Sequence, residues 1–147
     1  MVLALAEAEA AFARGEVPVG AVVVGPTGTI LARAGNQIEA TADPTAHAEL
    51  LALRAAAQAL GTPRLVGCAL YVTLEPCPMC AQAIAFARIA RLYYGAEDPK
   101  GGGVDHGPRI FQSTSCHHRP DVYGLIGAAP AAELLQRFFR DRRPGKG

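Results

Sequence analysis

Apolar positions fall into short runs separated by turn-forming residues, and the period within the runs changes along the chain. Val2–Arg14 mixes Ala, Leu and Glu, which predicts a helix closed by Gly15. Val19–Val24 is a continuous apolar run of strand length, and Thr29–Ala34 is a second candidate strand. Gly25-Pro26-Thr27-Gly28 between them has turn chemistry, so the pair reads as a hairpin. Asn36–Asp43 is a polar loop. Asp43-Pro44 has the form of an N-cap followed by proline at the first helical position. The helix it predicts runs to about Leu60, with Leu50, Leu53, Ala57 and Leu60 as the buried stripe and Gly61 as the stop. Ala69–Leu74 reads as a strand, Cys77-Pro78 opens a helix to about Ala87, and Arg91–Gly95 is a further strand. Val122–Ile126 fits a short edge strand, and Pro130–Arg143 fits a last helix with Leu134, Leu135, Phe138 and Phe139 as its apolar positions. The Gly- and His-rich stretch Ala96–Pro120 has no readable period; long segments of this kind are often functional or mobile.

A helix, a hairpin and then strand–helix units imply a mixed sheet covered by helices on both faces, an α/β fold. A length of 147 residues suits one domain with one core, and half the residues are apolar, which argues against disorder. No stretch of about 18 uncharged apolar residues is present, so no membrane span is predicted. The first residues are apolar but carry Glu7 and Glu9 without a basic flank, which does not read as a signal peptide. The four cysteines are therefore expected in a reducing, cytoplasmic setting, where metal binding or chemistry outweighs disulfide formation.

A net charge of +1 gives no global sign of a nucleic-acid partner. Its distribution is uneven. Residues 1–97 carry six Lys and Arg against eight Asp and Glu, whereas residues 98–147 carry eight against five. The basic last third suits an anionic partner, or equally a solvated helix end.

Two short segments carry candidate chemistry: His47-Ala48-Glu49 and Pro76-Cys77-Pro78-Met79-Cys80. Cys77 and Cys80, three apart at a helix start, place both sulfurs on one side of a turn, where the helix dipole favours thiolate. His47 is the best third ligand, and one His with two Cys leaves a fourth position for water, the arrangement of a catalytic zinc. Glu49 could then take a proton from that water and pass it to a leaving group. Residues two apart on a helix point about 200° away from each other, so His47 and Glu49 converge only if the helix aims its N-terminal end at the metal. Each pattern alone is weak, since His-x-Glu is common on helix surfaces and Cys-x-x-Cys also serves redox or structural-zinc roles. In this order, each opening its own helix, they match the zinc nucleobase-deaminase signature H-x-E…P-C-x-x-C.

Around these residues the chain resembles the bacterial tRNA adenosine deaminases. Similar runs are Glu16-Val17-Pro18-Val19-Gly20-Ala21, Asp43-Pro44-Thr45-Ala46-His47-Ala48-Glu49 and Leu70-Tyr71-Val72-Thr73-Leu74-Glu75-Pro76-Cys77-Pro78-Met79-Cys80. Ala87-Arg88-Ile89, Gly95-Ala96-x-Asp98-x-Lys100 and the Phe138-Phe139-x-x-Arg142-Arg143 tail are similar too. The resemblance implies a three-layer α/β/α cytidine-deaminase-like fold with a mixed five-stranded sheet, over a single zinc-dependent deaminase domain spanning 1–147. It implies one zinc ion per subunit, a homodimer, and the anticodon stem-loop of tRNA as partner. The implied reaction is hydrolytic: a flipped-out wobble adenine is attacked at C6, Glu49 shuttles the proton, and ammonia leaves. On the same basis Asn36 would hold the flipped nucleoside and Asp98 the neighbouring RNA. Arg137, Arg140, Arg142 and Arg143 could neutralise phosphate, and Phe139 or Phe138 could stack on a base, although burial is the better reading for Phe138.

Gly101–Pro120 departs from the commoner pattern of that family and raises the question of a second metal site from His106, Cys116, His117 and His118. Cys68 reads as a small buried hydrophobe. Two other functions fit the same core: a deaminase of free bases or nucleosides, such as guanine or cytosine, and a structural-zinc module that binds RNA without catalysis. The basic tail and the long match outside the zinc core favour tRNA, and a non-catalytic module would have no use for Glu49.

Overall fold

The computed structural model describes residues 1–142. In chain order the elements are α1 (Val2–Ala13), β1 (Gly20–Val24), β2 (Ile30–Gly35), the single turn α2 (Ile38–Thr41), α3 (Ala48–Leu60), β3 (Ala69–Leu74), α4 (Pro78–Phe86), β4 (Arg91–Ala96), a 3₁₀ turn (Ile110–Gln112), β5 (Asp121–Tyr123) and α5 (Ala128–Asp141). The strands form one five-stranded mixed sheet in the order β2-β1-β3-β4-β5. β1 runs antiparallel to β2 and β3, while β3, β4 and β5 are parallel. Helices α1 and α5 pack together on one face, and α3 and α4 on the other, giving the α/β/α layers the sequence predicts.

Small residues set how closely the layers approach. The buried face of α1 is Ala4, Ala8 and Ala11. It meets Gly20 and Gly35, where a Cβ would lie 2.0 Å from the Ala4 carbonyl oxygen and 2.7 Å from that of Glu7. An alanine at Gly20 would force the helix off the sheet. On the opposite face, α3 buries Ala48, Glu49, Ala52, Leu53 and Ala56. This corrects the expected stripe: Leu50 and Ala57 are only half-buried and Leu60 is exposed. The small side of α3 is the one that fits against the sheet, and Leu50 lies in a groove shared with α4.

Three boundaries also differ from the sequence reading. The helix expected from Pro44 begins at Ala48, because Asp43 Oδ1 accepts the Thr45 N–H and hydroxyl (2.8 and 2.7 Å) and folds that stretch into a turn. The strand expected over Val122–Ile126 is Asp121–Tyr123, since Gly124 packs against the Tyr94 ring and Leu125 takes a left-handed φ of 63°. The last helix begins at Ala128, with Pro130 in its first turn where the missing N–H costs nothing. Arg143, its expected end, lies outside the described residues.

The 96–120 stretch is packed. Val104, Phe111 and Cys116 reach the core, and the chain is pinned by Ile110 N–H to Gly103 O (2.8 Å) and Asp121 N–H to Ala90 O (2.9 Å). No helix of the described residues is long and apolar enough to cross a membrane.

Candidate active site

Both chemistry-bearing segments sit at helix N-termini and on the same side of the sheet. His47 is the N-cap of α3, with extended backbone (φ −73°, ψ 148°), and Glu49 follows in the first turn. Cys77 is the N-cap of α4 (φ −70°, ψ 171°), Pro78 occupies its first position, and Cys80 follows in the first turn. His47 is non-helical, so the 200° separation of two helical residues does not apply; the helix end faces the site and both side chains reach it.

His47 Nδ1 lies 3.7 Å from Cys77 Sγ and 3.5 Å from Cys80 Sγ. One donor atom from each of the three residues falls within 4.8 Å of the others. This is the only such group of three His, Cys, Asp or Glu found among the described residues, and it can hold a metal ion. The second site considered for His106, Cys116, His117 and His118 is not assembled. His106 Nδ1 contacts Glu75, Cys116 Sγ donates to the His118 carbonyl (3.1 Å), and His118 Nε2 donates to the Ile89 carbonyl (2.7 Å). Cys68 is buried, as expected.

Electrostatics separate the two thiols. The hydrogen bond from Cys80, with help from His47, pushes the Cys77 thiol down to about 4. Cys80 moves up, because it donates to Cys77 and is buried. His47 is raised by its hydrogen bond to Cys77. One thiolate is therefore present at neutral pH before any metal binds, and a metal would displace the remaining proton. Glu49 is 4% exposed, and burial pushes its carboxyl up to about 7, with the Cys77 charge adding to the shift. A carboxyl near neutrality can both accept and release a proton under working conditions.

His47, Glu49, Cys77, Asn36 and Asp98 line one cavity of about 270 Å³, together with Val17, Val19, Ile38, Leu74, Glu75 and Gly101. Cys80 lies beneath it, fully buried. Asn36 is fixed from both sides. Its Oδ1 accepts the Ala48 N–H (2.8 Å), capping α3 from twelve residues away, and its carbonyl accepts from Arg14 (3.1 Å). With Oδ1 committed, the amide NH₂ is the group left for a ligand.

Phe139 lies outside this cavity, 55% exposed, on an adjoining cleft with Glu97, Lys100 and Leu135. The two hollows adjoin, with Val17, Leu74, Asp98 and Gly101 as their common wall. Phe138 is buried against Phe12, as expected. Arg142 is on the far side of Val17, its guanidinium 3.9 Å above the Phe138 ring, in a notch with Gly15 and Glu39.

Sequence reasoning missed the apolar walls Val17, Val19, Ile38 and Leu74, and two buried carboxylates. Glu16 accepts the Glu39 and Ala40 N–H groups (3.1 and 2.8 Å), which holds α2 and with it Ile38. Glu75 gathers the 98–106 segment. Burial opposes its charge, but the Asp98 N–H, the His106 ring and further backbone N–H groups hold it below the usual carboxylate range. The signal that could have found it is an acidic residue set directly against an apolar run and a proline, as in Leu74-Glu75-Pro76.

The model of the MafB19-like deaminases matches residues 1–143. A curated tRNA-specific adenosine deaminase of Agrobacterium fabrum is 56% identical over 97% of this chain and 93% of its own length. The chain belongs to the tRNA-specific adenosine deaminase family. A solved structure from work on A-to-I editing by tRNA:A34 deaminases at the wobble position of transfer RNA superposes with a TM-score of 0.90. It is 56% identical and covers 92% of this chain and 97% of that one. A guanine deaminase from Bacillus subtilis superposes less closely, at a TM-score of 0.61 and 31% identity, covering 98% of this chain and 92% of that one. The cytidine-deaminase-like fold and the deaminase class of this family member rest on these matches together with the sheet order and the His/Cys cluster.

Proposed function

We propose that this single deaminase domain converts adenosine to inosine at the wobble position of a tRNA anticodon, releasing ammonia. The observation that carries the reading is the buried Glu49 carboxyl in one cavity with His47 and Cys77 and above Cys80, the three residues that can hold a metal ion. His47, Cys77 and Cys80 would hold one zinc ion. Bond lengths of about 2.3 Å to sulfur and 2.0–2.1 Å to nitrogen in a tetrahedron place S and N about 3.6 Å apart, and the distances here are 3.5 and 3.7 Å. The chemistry zinc supplies when bound there is activation of water at neutral pH.

The chain's own groups do the rest. Glu49 accepts a proton and delivers it to the departing amine, so adenosine and water become inosine and ammonia. Val17, Val19, Ile38 and Leu74 pack against the flipped base and exclude bulk water, while the Asn36 amide donates to it. Asp98 contacts the neighbouring nucleotide, exposed Phe139 offers a stacking surface, and Arg142, held in place by Phe138, offers charge to a phosphate. Free-base deamination is the competing activity, and the open cleft beyond Asp98 favours a longer substrate. Inosine formation in an anticodon stem-loop carrying a wobble adenosine tests this. The stem-loop is expected to turn over while free adenosine, guanine and cytosine do not; the reverse pattern would leave deamination standing and replace the substrate.

The homodimer has a structural candidate in the groove between α3 and α4. It has a volume of about 590 Å³ and is walled by Leu50, Leu53, Ala57, Met79, Ala83 and Phe86, the last 72% exposed. A contiguous apolar face of this kind suits self-association, and it lies on the two helices that carry the site. Sedimentation of Phe86→Glu is expected to give monomer where the wild type gives dimer; an unchanged dimer would move the interface elsewhere.

A further inference from the structure

Glu75 is a buried charge that the chemistry above leaves unused. It is 1% exposed and stands between the end of β3 and the Pro76-Cys77 pair. Its Oε1 accepts the Asp98 N–H (3.1 Å) and contacts His106 Nδ1 (2.7 Å). Its Oε2 accepts three successive backbone N–H groups, those of Val104 (3.2 Å), Asp105 (3.0 Å) and His106 (3.1 Å). A carboxylate only accepts, so His106 Nδ1 carries the proton. Although Glu75 borders the cavity, both of its oxygens are engaged by the 98–106 segment, which wraps around them as a backbone anion nest.

The back of that segment is tied to the sheet and to the residues leading into α4. Gly103 N–H donates to the Pro76 carbonyl (2.8 Å), and the Tyr94 hydroxyl donates to Asp105. Its front forms one wall of the substrate hollows, through Asp98, Lys100 and Gly101. Gly101 and Gly102 N–H groups close that turn onto Asp98 Oδ1 and its carbonyl (2.9 and 2.8 Å). Within the wall itself, the Asp98 N–H is held by the Glu75 carboxylate.

We propose that Glu75 is a positioning residue for substrate binding: by gathering the N–H groups of Asp98 and Val104–His106 it sets the Asp98–Gly101 wall against the nucleotides flanking the reacting base. This rests on the wobble-deaminase reading. It predicts an effect on KM for a structured RNA, since Glu49, which moves the proton, lies on α3.

Two variants test it. Glu75→Gln keeps the shape but turns an NH₂ toward either three N–H groups or one N–H and the His106 proton, so at least two donors lose their acceptor. Gly102→Ala leaves Glu75 intact. Its Cβ would lie 2.4 Å from Glu75 Oε2 and 2.5 Å from the Asp98 carbonyl oxygen, and so pries the segment off the carboxylate. Both variants are expected to raise KM for the anticodon stem-loop by about tenfold or more. Their kcat should stay within about threefold of wild type, with metal content unchanged. The amides of Asp98, Val104, Asp105 and His106 should exchange faster with solvent.

An unchanged KM, a fall in kcat alone, or metal lost in proportion to activity would each overturn the proposal, the last by making Glu75 a support for Cys77. Should Glu75→Gln fail to fold, Gly102→Ala decides. A wild type inert on the stem-loop would overturn the wobble reading instead, and unchanged amide exchange in Gly102→Ala would still overturn the role given to Glu75.

Discussion

Glu49→Gln is expected to lower single-turnover inosine formation by about 10²- to 10⁴-fold, the range over which a positioned acid–base group contributes, while KM and metal content hold. The amide matches the carboxyl in shape but cannot carry a proton, so packing is separated from chemistry. Retained turnover would remove Glu49 from proton transfer and with it the central step of the reading. Stability supplies an independent check. The folded-state value for Glu49 is about 7 against an ordinary 4.5, so between those values the folded chain binds more protons than the unfolded one. Stability from this group therefore falls as pH rises from 4.5 to 7 and is flat beyond. Metal-free Glu49→Gln should accordingly melt above metal-free wild type at pH 8, with the gap closing toward pH 4. A gap independent of pH would place its cause outside the carboxyl.

The second large effect is expected from the metal ligands. Cys80→Ser should abolish turnover and reduce bound zinc from one per chain to a small fraction, because a hydroxyl replaces a thiolate in a fully buried position. Since His47 stands at the N-cap position of α3 and Cys77 at that of α4, an ion shared between them clamps two helix ends and stabilises the folded chain. At free zinc about a thousandfold above Kd the linkage is worth about 4 kcal/mol, or about 10 °C in Tm for a chain of this size. Differential scanning with and without chelator should show that shift in the wild type and lose it in Cys80→Ser. A Tm insensitive to zinc, with stoichiometric binding, would mean that the site forms equally in the unfolded chain.

The parts of this molecule governed by neighbouring residues are legible in the amino-acid sequence. The α1, β1, β3, α4 and β4 segments lie within about a residue or two of their predicted limits, because their ends depend on local devices: Gly15 after α1, Gly61 after α3, Pro78 opening α4. The Cys77–Cys80 spacing is legible for a related reason, since it falls within one helical turn, whereas its pairing with His-x-Glu thirty residues away is legible only as a match to the zinc-deaminase signature.

The start of α3 shows where local reasoning fails. Asp43-Pro44 carries a sound N-cap pattern, but Asp43 spends its oxygen on Thr45, and the cap of the real helix comes from Asn36 on a different segment. That four-residue difference makes His47 an extended N-cap, from which its side chain faces the same cavity as Glu49.

By itself, then, the sequence determined the order of elements and the α/β class, because these follow from patterns within short segments, and the donor set, because two local motifs together match a known signature. Only the tertiary structure decided that α3 buries Ala48, Ala52 and Ala56 while Leu50 and Leu60 face away from the sheet, that residues 98–106 gather around Glu75, and that the four histidine and cysteine residues beyond position 105 form no second cluster. Those outcomes depend on how closely a helix can approach a sheet and on which distant donor finds a buried carboxylate, and both are set by packing across the fold rather than along the chain.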